Sequence, residues 1–321
     1  WDGPLVLGHE GAGWVDAVGP DVSHLVIGQP VLLNWAIPCG HCVPCQQSHG
    51  HLCDRTQGLS KESPSVASPH TEWQQQAIRR SFNLGTFSEY ALVRSEALTP
   101  LPAHLPMHEA CILGCGVMTG VGSVINSANV QAGESVVVLG CGGVGLSVIQ
   151  GARIAGAKSI IALDKRIESL ERAKRMGATH TWRIEDNDAK FEAAVAHVRS
   201  LTEGRGADYA FEATGQHSLA FAPLKFIRHG GVALQLSGAH GEVSASMLDF
   251  WWDKRYLTPL YGGCHPPRDF PKLMRWIDEG QLDVASMITR HYTLSQLQDA
   301  MDDMLSGSNI KGVIVFDKDR T

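Results

Sequence analysis

The chain has 321 residues, 44% of them hydrophobic and 19% charged, which excludes an intrinsically disordered protein and leaves room for two domains. A formal net charge of −6 gives no general reason to bind nucleic acid. The opening Trp1-Asp2-Gly3-Pro4 lacks a basic region ahead of an apolar stretch, and no uninterrupted apolar run reaches membrane length, so a cytoplasmic protein without a membrane partner is expected.

From Leu5 to about Leu101, short apolar runs (Trp14 to Val18, Val31 to Leu33, Phe87 to Val93) alternate with Gly, Pro, Asp and Asn, the pattern of an all-β, barrel-like domain. A polar insert between Thr56 and Gly85, with Ser63-Pro64-Ser65 and Gln74-Gln75-Gln76, reads as a surface excursion. Pro106 to Ala128 is apolar and reads as helical. Val136-Val137-Val138-Leu139 is a β-branched strand ended by glycine, and from there β and α alternate. A helix from Gly145 to about Ala155, a strand Ser159 to Leu163, a helix from about Glu168 to Met176, and strands near Ala207 to Phe211 and Val232 to Leu236 predict a doubly wound parallel sheet. After Tyr261-Gly262-Gly263, helices over Phe270 to Glu279 and Ser295 to Leu305 precede a final strand, Gly312 to Phe316. These last elements are expected to return to the first domain.

Cys39, Cys42, Cys45 and Cys53 are spaced Cys-x2-Cys-x2-Cys-x7-Cys in a Gly-, Pro- and His-rich loop with no apolar periodicity. A closed all-cysteine set reads as a structural zinc lobe, in which metal replaces a core that the segment cannot build. Disulfides are the alternative, and the absence of a secretory segment argues against them. A zinc-ribbon nucleic-acid binder would need two separated Cys-x2-Cys knuckles and a basic face.

Gly140-Cys141-Gly142-Gly143-Val144-Gly145 follows a predicted strand and opens a predicted helix, the context in which a glycine loop binds a dinucleotide. Gly140 permits the turn, Gly142 lets backbone approach a pyrophosphate, Gly145 allows close helix-sheet packing, and the helix N-terminus adds partial positive charge. Asp164, nineteen residues past Gly145, ends the next strand, where a carboxylate can bind ribose hydroxyls and repel a 2′-phosphate, favouring NAD. Lys165 and Arg166 could tolerate a phosphate, and Asp164 could instead cap the following helix.

Gly8-His9-Glu10 gains meaning from Cys115 in Leu113-Gly114-Cys115-Gly116-Val117-Met118-Thr119-Gly120. With these motifs, the cysteine lobe, Gly85-Thr86-Phe87-Ser88-Glu89-Tyr90, the glycine loop and Ile310-Lys311-Gly312, the whole chain resembles the zinc-dependent alcohol dehydrogenases of the medium-chain dehydrogenase/reductase superfamily. Leu33-Asn34-Trp35 and the long insert make it most similar to the class III-like and aryl-alcohol branch.

The resemblance implies a discontinuous GroES-like β-barrel catalytic domain over 1–117 and 261–321, with its zinc lobe at 39–53, and a Rossmann domain over 118–260. It makes His9 and Cys115 ligands of a catalytic zinc, Glu10 a carboxylate behind them, Trp35 a wall of the alcohol pocket, Thr119 a neighbour of the nicotinamide, and Lys311 a partner of the cofactor pyrophosphate. Cys111, Cys141 and Cys264 are read as core or loop thiols, and Trp251 and Trp252 as packing residues. The family's third zinc ligand, a cysteine, and its proton relay precede Gly8-His9-Glu10, where only seven residues stand here, so an N-terminally truncated chain is expected.

The implied activity is NAD-dependent oxidation of a primary or aromatic alcohol to the aldehyde, by zinc-alkoxide formation and hydride transfer. The alternative within that chemistry is an S-(hydroxymethyl)thiol substrate, for which Arg55 is available but Gln57 stands where glutathione-dependent members carry arginine. The alternative of another class is a non-catalytic NAD-binding zinc protein. A homodimer or homotetramer is implied, with strands near Val232 to Leu236 and Leu257 to Tyr261 as candidate edges.

Overall fold

Short strands and turn-rich loops open the chain, as the early scatter of Gly and Pro demands. The computed structural model describes residues 4–54, 71–188, 190–238 and 241–316. Arg55, Gln57 and Ser63-Pro64-Ser65 lie outside the described residues. Two compact units are formed, one by Trp1–Cys115 with Cys264–Thr321 and the other by Gly116–Gly263.

In the first unit β1 (Leu5–Val6), β2 (Ala12–Trp14) and β3 (Pro30–Leu33) are followed by α1 (Val43–Gln46), the paired short strands β4 (Glu72–Trp73) and β5 (Gln76–Ala77), and β6 (Arg79–Arg80), which pairs in parallel with β1. Then come β7 (Leu98–Pro100) and α2 (Met107–Ala110). Strands β2, β3 and β7 form an antiparallel sheet, with Val31 opposite both Gly13 and Pro100. Beneath it Val15, Leu25 and Val31 make a small buried cluster with Val22 and Leu98 against it.

Phe87 to Val93, expected as a strand, is irregular. The Ser88 hydroxyl donates to the carbonyls of Gly85 (2.7 Å) and Tyr90 (2.8 Å), a local alternative to a β-ladder. The expected helix from Pro106 to Ala128 is broken as well: after α2 a 3-10 turn runs Cys111–Gly114, and Cys115 leaves helical geometry at φ −147° and ψ −72°.

The second unit begins with α3 (Gly116–Gly122), continued by a π-helical turn at Ser123–Ala128. There follow β8 (Ser135–Leu139), α4 (Gly143–Ile154), β9 (Ser159–Asp164), α5 (Ile167–Met176), β10 (His180–Arg183), α6 (Glu192–Leu201), β11 (Ala207–Glu212), β12 (Ile227–Gln235) and β13 (Arg255–Leu257). All strand pairs are parallel, and the spatial order is β10-β9-β8-β11-β12-β13, the doubly wound arrangement. Strands buried on both faces need continuous apolar runs, which is why Val136 to Leu139 and Ile160 to Leu163 read as they do. One buried face joins Val137, Leu139, Ile161 and Leu163 to Ala194 and Val198 of α6 and to Leu224 and Phe226.

The chain then returns to the first unit with α7 (Pro266–Asp278), β14 (Ile288–Tyr292), α8 (Leu297–Ser306) and β15 (Lys311–Ile314), and β14 pairs in parallel with β15. β10, α6 and β14 have no counterpart in the sequence reading. Among the described residues no single helix is long and apolar enough to cross a membrane.

Candidate active site and metal lobe

The cysteine lobe is built by local turns alone. Cys42 precedes the short helix α1, Cys45 lies within it, and Cys53 follows a 3-10 turn at Gly50–Leu52. The four sulfurs lie within 4.8 Å of one another, and Cys53 is 0% exposed. Tetrahedral thiolates on zinc stand about 3.8 Å apart at ordinary Zn–S lengths, and the Cys42 and Cys53 sulfurs lie 3.9 Å apart. Backbone N–H groups already point at sulfur, from Cys39 to Cys53 Sγ (3.3 Å) and from Cys42 to Cys39 Sγ (3.4 Å). Burial, with the neighbouring thiols, pushes Cys45 up to about 12, so four thiolates here require a cation. Among the described residues these cysteines are the one such group of three or more metal-binding side chains.

A second constellation in the same unit gathers His9, Glu10, Cys111, Cys115 and Lys311. Gly8 and Leu7 hold the His9 segment through their carbonyls, which accept from Thr86 N–H and Phe87 N–H at 3.0 Å each. The break at Cys115 is pressed against this segment: a Cβ on Gly114 would stand 2.6 Å from the Leu33 carbonyl oxygen and 3.8 Å from Glu10 Cα. Only glycine allows that approach. Burial, chiefly, holds His9 below the usual histidine range, with Glu10 opposing and Lys311 assisting, so a neutral ring suited to metal ligation is favoured.

The ammonium of Lys311 lies 2.8 and 2.6 Å from the two Glu10 carboxylate oxygens. Burial pulls Lys311 down, but the charge and hydrogen bonds of Glu10 outweigh it and leave Lys311 raised. Lys311, for which a pyrophosphate contact is expected, pairs here with Glu10 and is within electrostatic reach of Cys115 and Cys111. Burial, with Glu10 beside it, pushes the Cys111 thiol up to about 12, and burial also raises Cys141 and Cys264, as fits core thiols.

Phe82 is the residue that sequence reasoning missed. Its ring lies 4.6 Å from that of His9 and 5.1 Å from buried Trp35. Phe82 (φ 52°) and Asn83 (φ 61°) both occupy the left-handed region, where a bulky residue is rare, and such strain costs of order 1–3 kcal/mol. The turn is closed by Leu84 N–H and Gly85 N–H on the Ser81 carbonyl, at 2.9 and 3.2 Å. Asn83-Leu84-Gly85 signals a turn in the sequence, but nothing there aims a phenylalanine at a histidine 73 positions earlier.

The glycine loop occupies the second unit. Gly140 follows β8 at φ +90°, Gly142 caps α4, and Gly143, Val144 and Gly145 form its first turn. A Cβ on Gly142 would meet nothing within 4 Å, which leaves the open approach that a pyrophosphate needs. Asp164 faces the same loop: Oδ2 accepts from Cys141 N–H (2.8 Å) and Oδ1 from Arg166 N–H (2.9 Å). It fastens the turn and does not cap α5, whose N-terminus has no side-chain cap. Thr119 is half-buried on α3.

Comparison with known proteins converges on the same chemistry. Residues 1–103 match the alcohol dehydrogenase GroES-like domain, and residues 143–279 match the zinc-binding dehydrogenase family. Alcohol dehydrogenase B of Mycobacterium tuberculosis is 33% identical over 98% of this chain and 84% of its own length. S-(hydroxymethyl)glutathione dehydrogenase of Synechocystis is 32% identical over 98% of this chain and 85% of its own. Among solved structures, benzyl alcohol dehydrogenase from Acinetobacter calcoaceticus superposes with a TM-score of 0.84 at 27% identity, covering 97% of this chain and 84% of that one. An alcohol dehydrogenase zinc-binding domain protein from Burkholderia ambifaria gives 0.83 at 30% identity, covering 97% and 84%.

A GroES-like unit with a four-cysteine lobe, joined to a dinucleotide unit of this strand order, defines a nicotinamide-linked oxidoreductase. The chain belongs to the zinc-dependent alcohol dehydrogenases, enzymes that act on alcohols with NAD and zinc.

Proposed function

We propose that this enzyme oxidises primary alcohols with an aromatic group to aldehydes. The observation that carries the reading is the aromatic cluster in which half-buried Phe82, backed by buried Trp35, sets a flat apolar ring next to the His9 imidazole. The likeness to a benzyl alcohol dehydrogenase supports it.

In this reading His9, kept neutral by burial, and Cys115 hold the catalytic zinc, and Cys39, Cys42, Cys45 and Cys53 hold a structural one. Zinc supplies Lewis acidity and NAD the hydride acceptor. Glu10, steadied by Lys311, sets the electrostatic potential behind the ligands. Phe82 and Trp35 orient the substrate ring and exclude water. Gly140, Gly142, Gly143, Val144 and Gly145 receive the pyrophosphate, Asp164 the adenosine ribose, and Thr119 lies toward the nicotinamide. A homo-oligomer in the cytoplasm completes the proposal. Edge strand β13 ends in exposed Leu257 and follows exposed Trp251 and Trp252, surface that a second copy could cover.

The second reading, oxidation of an S-(hydroxymethyl)thiol, is favoured by relatives named S-(hydroxymethyl)glutathione dehydrogenase. The test is kcat/KM for benzyl alcohol against S-(hydroxymethyl)glutathione, with Phe82→Ala as the control. Benzyl alcohol is expected to be preferred, and Phe82→Ala to lower its kcat/KM about ten-fold while changing that for ethanol by less than about two-fold. A strong preference for the thiol adduct would overturn the aromatic-alcohol reading.

A further inference from the structure

One buried carboxylate takes no part in the chemistry above. Glu212 ends β11, is 0% exposed, and lies level with Leu139 of β8 and Gln235 of β12. Its Oε1 accepts from the backbone N–H of Thr214 (2.7 Å) and from the Thr214 hydroxyl (2.5 Å), and its Oε2 accepts from the Ser237 hydroxyl. A backbone N–H can only donate, so Oε1 is held as an acceptor there. All three donors are neutral, and among the described residues no lysine, arginine or histidine pairs with it. A buried charge held without a cation is expensive, and a ligand that brings positive charge relieves it.

The position of Glu212 says which ligand that is. The chain runs from β8 outward to β9 and β10, then returns beside β8 and runs through β11, β12 and β13 to the other edge. Dinucleotides bind beyond the carboxyl ends of such strands at this switch point, one mononucleotide to each half. Asp164 closes β9 and takes the adenosine half, so the half opened by β11 receives nicotinamide mononucleotide. Thr214 reaches the glycine loop itself: a Cβ on Gly140 would stand 2.9 Å from Ala213 C and from Thr214 Cα. The Glu212 charge is felt beyond its own contacts, since Tyr256 is pushed up to about 12 by burial first and by Glu212 second.

We propose that Glu212 makes the cofactor site discriminate between oxidised NAD, whose nicotinamide ring carries a positive charge, and NADH, whose ring is neutral. The inference rests on the reading of Gly140 to Gly145 as the cofactor loop. Glu212 acts as a positioning residue through Thr214 and Ser237, and as a fixed charge through space.

The test is calorimetric titration of the zinc-loaded protein with NAD+ and with NADH, alongside thermal unfolding. Glu212→Gln keeps the shape and removes the charge, and is expected to raise the Kd for NAD+ about ten-fold while changing that for NADH less than about two-fold. Glu212→Asp, which keeps the charge, is expected to restore most of the difference. Gln235→Lys sets an ammonium beside the carboxylate and is expected to shift the ratio the same way, which decides the matter if Glu212→Gln does not fold. Equal weakening of both cofactors, or no change in either, would overturn the proposal. Failure of the unaltered protein to bind either cofactor would instead overturn the cofactor-loop reading, and this inference with it.

Discussion

Two glycines three positions apart in one loop are expected to respond oppositely to the same methyl group. A Cβ on Gly145 would stand 1.9 Å from the Gly140 carbonyl oxygen. A comfortable carbon-oxygen contact is about 3.3 Å, so one backbone must move by more than an ångström. Gly140 has little freedom to do so: its N–H is bonded to the Leu163 carbonyl at 2.9 Å, and the Ala213 backbone lies against its Cα. Overpacking of this kind costs about 3 kcal/mol, and the better helix propensity of alanine returns about 1 kcal/mol. Gly145→Ala is therefore expected to lose about 2 kcal/mol, roughly a 30-fold rise in local opening.

At Gly142 the added methyl would meet nothing within 4 Å, and φ −79°, ψ −166° suits any residue. Gly142→Ala is expected to change stability by less than about 0.5 kcal/mol. It should nonetheless weaken NAD binding at least about ten-fold, because the methyl fills the approach of the pyrophosphate. Hydrogen exchange of β8 and α4 peptides reads the first effect, and calorimetric titration with NAD the second. Unchanged exchange in Gly145→Ala, or undiminished NAD affinity in Gly142→Ala, would refute the division of roles.

Phe226 is 1% exposed and meets Phe191 edge-on at 5.7 Å, so Phe226→Ala is expected to destabilise the parallel-sheet unit by about 3–5 kcal/mol, measured by urea unfolding. Cys53→Ser should remove one zinc per chain and abolish exchange protection around α1, while β8 and β11 keep theirs; retained protection at α1 would mean that metal does not organise the lobe. Asp208 is half-buried, which raises its pKa, but Ser135 N–H (2.8 Å), the Ser135 hydroxyl (2.6 Å) and Arg228 Nε (2.7 Å) outweigh this and hold it below the usual aspartate range. A depressed carboxylate contributes stability that is full above its unfolded pKa and lost as pH falls through its folded one, so acid unfolding below about pH 4 should be steeper in the unaltered protein than in Asp208→Asn. Equal slopes would show that Asp208 does not couple to folding.

What the sequence by itself determined was whatever a short stretch of chain can impose on its own geometry. The cysteine lobe closes within fifteen residues, and the glycine loop is a strand, a turn and the first turn of a helix, so spacing and backbone freedom decided both. The apolar runs of β8 and β9 likewise announced a sheet buried on both faces. Phe87 to Val93 reads as a short apolar run fit for a strand, yet Phe87 N–H donates to the Leu7 carbonyl and the Ser88 hydroxyl to the Tyr90 carbonyl, and no ladder formed.

The tertiary structure alone decided the contacts between distant segments. Lys311 meets Glu10 across 301 positions, Phe82 is aimed at His9 by two left-handed residues, and Glu212 is enclosed by Thr214 and Ser237, with neutral donors only among the described residues. Such pairings depend on which faces are buried together and on whether a charge can find water. Neither is encoded at any fixed spacing along a chain.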